Sequence, residues 1–140
     1  MKKTSLFLST LFVLSVLILS ACVGGASASP TGEWMLVSYG DASNPTSTLP
    51  DVETSINFND DGTFGGSVGC NSFGSNYKVN GDQITFGSIM STMMFCEGIS
   101  DQESAVLAIL TDKTVIFEMN EDQLTLTSED GNSVVVLTRK

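Results

Sequence analysis

The chain has 140 residues, enough for one domain and little more. A net charge of −10 and a sequence pI near 4.1 exclude an electrostatic nucleic-acid binder, which needs a basic surface to neutralise phosphates. The absence of His removes Ser–His–Asp and Cys–His catalysis and every His-based metal site from the chain itself. With 41% hydrophobic residues, 13 Gly and only 3 Pro, the composition is that of a folded protein.

The mean hydropathy of +0.19 is high for so acidic a chain, and the excess sits at the N-terminus. Lys2 and Lys3 open the sequence, and an apolar run follows over residues 6–19. As a helix this run would span about 21 Å at ~1.5 Å per residue, short of a bilayer core of about 30 Å. Its length fits the apolar region of a signal peptide. The run ends in Leu19-Ser20-Ala21-Cys22, which resembles the lipobox of bacterial lipoproteins. Residues 1–21 are expected to be a lipoprotein signal peptide, with Cys22 the lipidated mature N-terminus. The competing readings are an uncleaved anchor and ordinary cleavage near residues 26–28. Val23 carries no charge, which by analogy with an Asp retention signal at that position favours the outer membrane where the source has one. Residues 22–30, small and Gly/Ser-rich, form a flexible tether to a domain at 31–140. Losing Lys2 and Lys3 makes the remainder more acidic still, so lipid rather than charge must supply attachment to an anionic membrane.

Once Cys22 is acylated, Cys70 and Cys96 are the remaining thiols, and an even number outside the cytosol favours a disulfide. Two buried free thiols are the alternative. A metal site is disfavoured, because the spacing matches no zinc pattern.

In chain order, residues 33–39 read as a first strand and 40–50 as a polar loop with two Pro. Residues 54–58 alternate as a half-buried strand, and Asn59-Asp60-Asp61-Gly62 signals a hairpin. The glycines of 63–71 predict a bent strand or a close backbone approach. Strands at 77–79 and 83–86 flank Asn80-Gly81-Asp82. The apolar segment 90–96 (MSTMMFC) reads as a strand packing its methionines into the core, with Met94 and Cys96 on one face and Met93 on the other. Ser100 and Glu103 form a capping-box pattern ahead of a helix that presents Val106, Ile109 and Leu110 on one face. Strands return at 114–119, 123–127 and 133–138. The sum is a mainly β (α+β) domain: a small antiparallel barrel of about eight strands with one helix as lid or plug.

The order Trp34-x-Leu36, Asp61-Gly62, Gly69-Cys70-Asn71, Thr92-Met93-Met94-x-Cys96, Glu103 and Leu124-x-Leu126 resembles the META domain, also called HslJ-like, over about residues 31–139. The resemblance implies a compact barrel-like domain of bacterial envelope and secreted proteins. It also implies association with stress response and, in one member, with novobiocin resistance, and a fold similar to a pilot lipoprotein of type III secretion. It brings no enzymatic activity and no cofactor. On it, Gly69, Cys70 and Asn71 match a first motif and Thr92, Met94 and Cys96 a second. Together they read as a structural framework, with Asn71 bonding local backbone in a turn or taking a left-handed conformation.

Candidate chemistry is thin. Asp60-Asp61, Glu121-Asp122 and Glu129-Asp130 fall in hairpin turns and serve turn geometry. The calcium-loop-like run from Asn57 to Gly62 fails because Val68 stands where a bidentate Glu is needed. Met90, Met93 and Met94 are soft enough for Cu(I), but alternation along a strand disperses them. The expectation is a non-enzymatic envelope lipoprotein, held at the membrane by its lipid and acting through contacts with another envelope protein. The alternative is a barrel binding a small apolar ligand or lipid.

Overall fold

The computed structural model describes residues 28–140. Cys22 and the leader expected at 1–21 lie outside the described residues. Ten strands and one helix follow in order: β1 (Gly32–Asp41), β2 (Thr46–Ser47), β3 (Ser55–Phe58), β4 (Thr63–Ser67), β5 (Ser72–Asn80), β6 (Gln83–Phe86), β7 (Met90–Ser91), α1 (Ser100–Leu110), β8 (Thr114–Asn120), β9 (Gln123–Ser128) and β10 (Ser133–Arg139). Eight of the strands form a closed antiparallel barrel in the order β10-β9-β8-β6-β5-β4-β3-β1, with β1 pairing back to β10. Closure leaves no long edge open to another chain. The two-residue strands β2 and β7 sit beside it, on β1 and β5.

Period-2 alternation fills the interior. Ile56 and Phe58, Ile84 and Phe86, Val115 and Phe117, and Leu124 and Leu126 point inward and are buried. Phe58, Phe64, Phe73, Tyr77 and Phe86 pack as an aromatic cluster, tilted except for the edge-on pair Phe58–Tyr77, with neighbouring ring centroids 4.8–6.1 Å apart. In β1 the alternation changes phase. The register with β10 shifts between Leu36 and Ser38, so Val37 is an extra residue that faces out. Trp34 and Leu36 point inward before the bulge and Tyr39 after it. The Trp34 indole N–H donates to the Pro30 carbonyl at 2.7 Å, and the Arg139 guanidinium covers its ring at 4.3 Å.

The glycines of β4 act as their spacing predicts. Gly66 has φ +151, and a Cβ there would run into the Ser55 carbonyl on β3. The strand ends at Ser67, however, instead of running to residue 71. Val68 to Asn71 turn across to β5, with the Val68 carbonyl and the Asn71 N–H bonded by side chains of α1 and the Gly69 N–H by the Ser67 hydroxyl.

Antiparallel order gives the barrel two different ends. Residues 59–62, 81–82 and 121–122 make tight hairpins at one end, where Ala28 and Ser29 also lie, beside Val79 and Gly81. The β4–β5 turn, the approach to β3 and the long link from β6 to β8 share the other end. That link carries α1, whose Val106 and Leu110 are fully buried in the core. Each such side chain contributes about 2 kcal/mol on leaving water.

Candidate functional site

The two motif segments, Gly69-Cys70-Asn71 and residues 92–96, meet Glu103 at the helix end. Asn71 sits in the β4–β5 turn and Glu103 on the first turn of α1, 32 residues away, and both are buried. The Asn71 backbone N–H donates to Glu103 Oε1 at 2.6 Å, and its side-chain Nδ2 donates to Oε2 at 3.0 Å. The same Nδ2 donates to the Met94 carbonyl at 3.0 Å. Asn71 Oδ1 accepts from the Met94 N–H at 2.7 Å and from the Thr92 hydroxyl at 2.8 Å. An Asn side chain has two donors and two acceptor lone pairs, and all four are engaged. The bonds are long-range, and Asn71 is not among the positive-φ residues. The expected local turn bonding of Asn71 is therefore replaced by a clamp on two distant segments.

Glu103 is diverted in the same way. The expected capping box does not form: no side chain caps the helix, and Ser100 Oγ donates to the Cys96 carbonyl at 3.1 Å instead. The Glu103 carboxylate is occupied by Asn71, whose buried donors would otherwise be unpaired. Gly69 makes the approach possible, since a Cβ on it would strike the Ile99 side chain just ahead of α1.

Gln102 is a member of the clamp that the sequence reading missed. Almost fully buried, it donates from Nε2 to the Val68 carbonyl at 2.6 Å and accepts from the Leu49 N–H at 2.9 Å. Its i, i+4, i+8 spacing with Val106 and Leu110 was the available signal. Cys70 and Cys96 form a disulfide with Cα atoms 6.1 Å apart, within the usual span. Closing that loop removes about 3.5 kcal/mol of unfolded-chain entropy in the simple loop model.

Segment 90–96 does not pack into the barrel. Only Met90–Ser91 pairs as a strand, against Phe73 and Gly74, and the chain then runs over the surface. Met93 is 97% exposed, Phe95 85%, Met90 80% and Met94 59%. The barrel is already filled, and the Asn71 and Cys96 attachments hold the segment's backbone against its outside. Met94 acts in the clamp through its backbone alone.

The remaining surface holds shallow grooves. One of about 520 Å³ lies where β3 and β2 leave β1 unpaired, lined by Met35, Val52, Glu53 and Lys140. The buried Thr48 hydroxyl beside it has no hydrogen-bond partner. Glu33 accepts from Lys140 Nζ at 2.7 Å and from the Ser55 hydroxyl, which together hold its carboxyl below the usual range. The hairpin acids bond their own turns. Asp61 accepts from the Thr63 hydroxyl and N–H, and Asp130 from Ser128 and Asn132. Among the described residues no three of His, Cys, Asp and Glu cluster as metal ligands, and no helix is long and apolar enough to cross a membrane.

The META domain family model matches residues 28–140, which include the clamp, the disulfide and the whole barrel. The chain belongs to the META domain family. Solved structures share the fold. One is an NMR structure of a protein from Burkholderia xenovorans, at TM-score 0.64 and 21% identity, covering 78% of this chain and 81% of that one. Another is the crystal structure of a duf4847 family protein from Bacteroides vulgatus ATCC 8482, at TM-score 0.55 and 16% identity, covering 79% and 93%. No curated protein matches the chain.

Proposed function

We propose that this META-domain protein is a lipid-anchored envelope protein that acts through protein–protein contacts, as a stress-response or envelope-assembly factor, and catalyses no reaction. The observation that carries the reading is the full mutual engagement of the motif residues. Asn71 spends its whole hydrogen-bonding capacity on Glu103, Thr92 and Met94, leaving no donor or acceptor of its side chain for a substrate. The packed aromatic interior supports the same reading over a ligand-binding barrel. Attachment rests on the lipobox-like Leu19-Ser20-Ala21-Cys22, because two or more acyl chains hold a protein on a membrane where one does not. Cys22→Ala is expected to abolish palmitate labelling and shift the protein to the soluble or precursor fraction. Unlabelled wild type with unchanged membrane partitioning would overturn the anchoring.

One observation favours the second reading, a binder of a small apolar ligand or lipid that resembles a secretion pilot lipoprotein in fold. The 520 Å³ groove beside Met35 and Val52 lies outside the barrel wall and borders the unpartnered Thr48 hydroxyl. Saturable binding of the neutral probe N-phenyl-1-naphthylamine, lost in Met35→Glu, would support it over the first.

A further inference from the structure

We propose that segment 90–95 is a docking element for a partner protein presenting an apolar cleft rimmed by Lys or Arg. The inference deepens the protein-contact reading above and rests on it.

Isolated exposed apolar side chains are ordinary, but Met90, Met93, Met94 and Phe95 lie within six consecutive positions and all face water. The backbone beneath them is fixed at several points. Phe73 and Gly74 pair with Ser91 and Met90, and Ser72 exchanges backbone and hydroxyl bonds with Thr92. Asn71 grips both the N–H and the carbonyl of Met94, and Cys96 is tied to Cys70. A fixed backbone carrying apolar side chains outward has already lost the freedom that binding would otherwise remove. Met side chains also adapt their shape to the surface they meet.

Charge selects the occupant. Glu97 and Asp101 flank the patch and are exposed, and the chain has no Lys or Arg between Lys78 and Lys113. An anionic lipid surface would be repelled, since membrane-binding apolar segments draw their electrostatic attraction from flanking cations. A second copy of this acidic chain is disfavoured for the same reason. A cleft with a basic rim complements both the patch and its border. Position agrees: the patch lies at the helix end of the barrel, whereas residues 28–29 enter at the hairpin end, beside Val79 and Gly81. The described chain thus begins on the side away from the patch.

The test places the photo-crosslinker benzoylphenylalanine at Met93 in the full-length chain, in its native envelope, with Val79 at the hairpin end as the comparison site. Irradiation is expected to give one discrete protein adduct from position 93, at least tenfold weaker from position 79. Within the same chain, Met90→Ser with Phe95→Ser should cut the adduct at least tenfold. Glu97→Lys with Asp101→Lys should cut it several-fold, and Asp60→Lys at the opposite end should leave it unchanged. The purified partner should then bind the Met90→Ser, Phe95→Ser variant at least tenfold more weakly than wild type. All variants sit on the surface, and retention of the Cys70–Cys96 bond confirms their fold. A lipid adduct, an adduct of two copies of this chain, equal yields from 93 and 79, or insensitivity to charge reversal would each overturn the proposal. Protein adducts from wall positions but none from 93 would sink the docking element and leave the protein-contact reading standing. No protein adduct from any surface position would remove both.

Discussion

The barrel interior and its helix end are held by different kinds of force. Inside, aromatic and branched aliphatic side chains interlock, and the Trp34 N–H and Tyr77 hydroxyl each donate to a backbone carbonyl, so stability follows mainly buried area and shape. At the helix end, a few polar side chains and one disulfide hold α1, the β4–β5 turn and segment 92–96 together. Burial is tolerant of substitution when volume is kept, whereas discrete bonds are not, because each lost partner leaves another group unsatisfied. This contrast explains why the polar motif residues Asn71, Thr92 and Glu103 gather at one end of an otherwise generic barrel.

The wall itself has one point where tolerance fails. Gly66→Ala combines an unfavourable φ with a collision against the Ser55 backbone, which cannot rotate away as a side chain would. The expected loss is about 4 kcal/mol, enough to leave little folded protein. Gly74→Ala on β5 is the matched control, since its Cβ would only graze the Phe64 carbonyl at 4.0 Å. Urea unfolding of the two variants checks the contrast, and comparable stabilities would show that β3 and β4 can separate without cost.

The clamp is the next target. Glu103→Ala strips partners from both the backbone and side-chain N–H groups of buried Asn71, for an expected loss of about 3 kcal/mol. Asn71→Ala should cost a similar amount, and the double variant should fall short of the sum by about 2 kcal/mol, because both changes break one interaction. Amide exchange should rise at residues 92–95 while β8, β9 and β10 stay protected. Additive losses would mean the two residues support the fold separately.

How much of this was legible depends on the range of the interaction. Alternation over 54–58 and the short apolar runs at 83–86, 114–119 and 123–127 are local properties, and strands lie at each. Hairpin acids and glycines were legible for the same reason. The bulge at Val37 was not, because it shows only in the register with β10, a hundred residues away. Glu103 three residues after Ser100 fits a capping box on local grounds, yet its carboxylate meets a stronger demand from Asn71 across 32 residues. Segment 90–96 misled most. Apolar composition alone assigns it to the interior, but Ile56, Phe64, Phe73 and their neighbours already occupy that volume. Burial is a competition for finite space, and one segment's composition does not reveal the outcome.

The smallest expected effect tests whether discrete bonds matter outside the clamp. Asp130, in the β9–β10 turn, is fully exposed and accepts from the Ser128 hydroxyl at 2.5 Å and from the Asn132 N–H at 3.1 Å and side-chain amide at 2.9 Å. The Ser128 hydroxyl first, then Asn132, hold its carboxyl down from 3.8 to about 2. A carboxyl whose folded value lies below its unfolded one stabilises the fold above the unfolded value, and that contribution fades as pH falls through the folded value. Asp130→Ala should therefore unfold at a slightly lower temperature than wild type at pH 7, with the gap unchanged to about pH 4 and closing toward pH 2. Asp61, Asp41 and Glu33 are lowered in the same sense, so wild type should itself lose stability across that window. A gap that persists unchanged at pH 2 would assign the Asp130 effect to turn shape rather than to its ionised carboxylate, leaving the clamp as the place where single polar bonds decide stability.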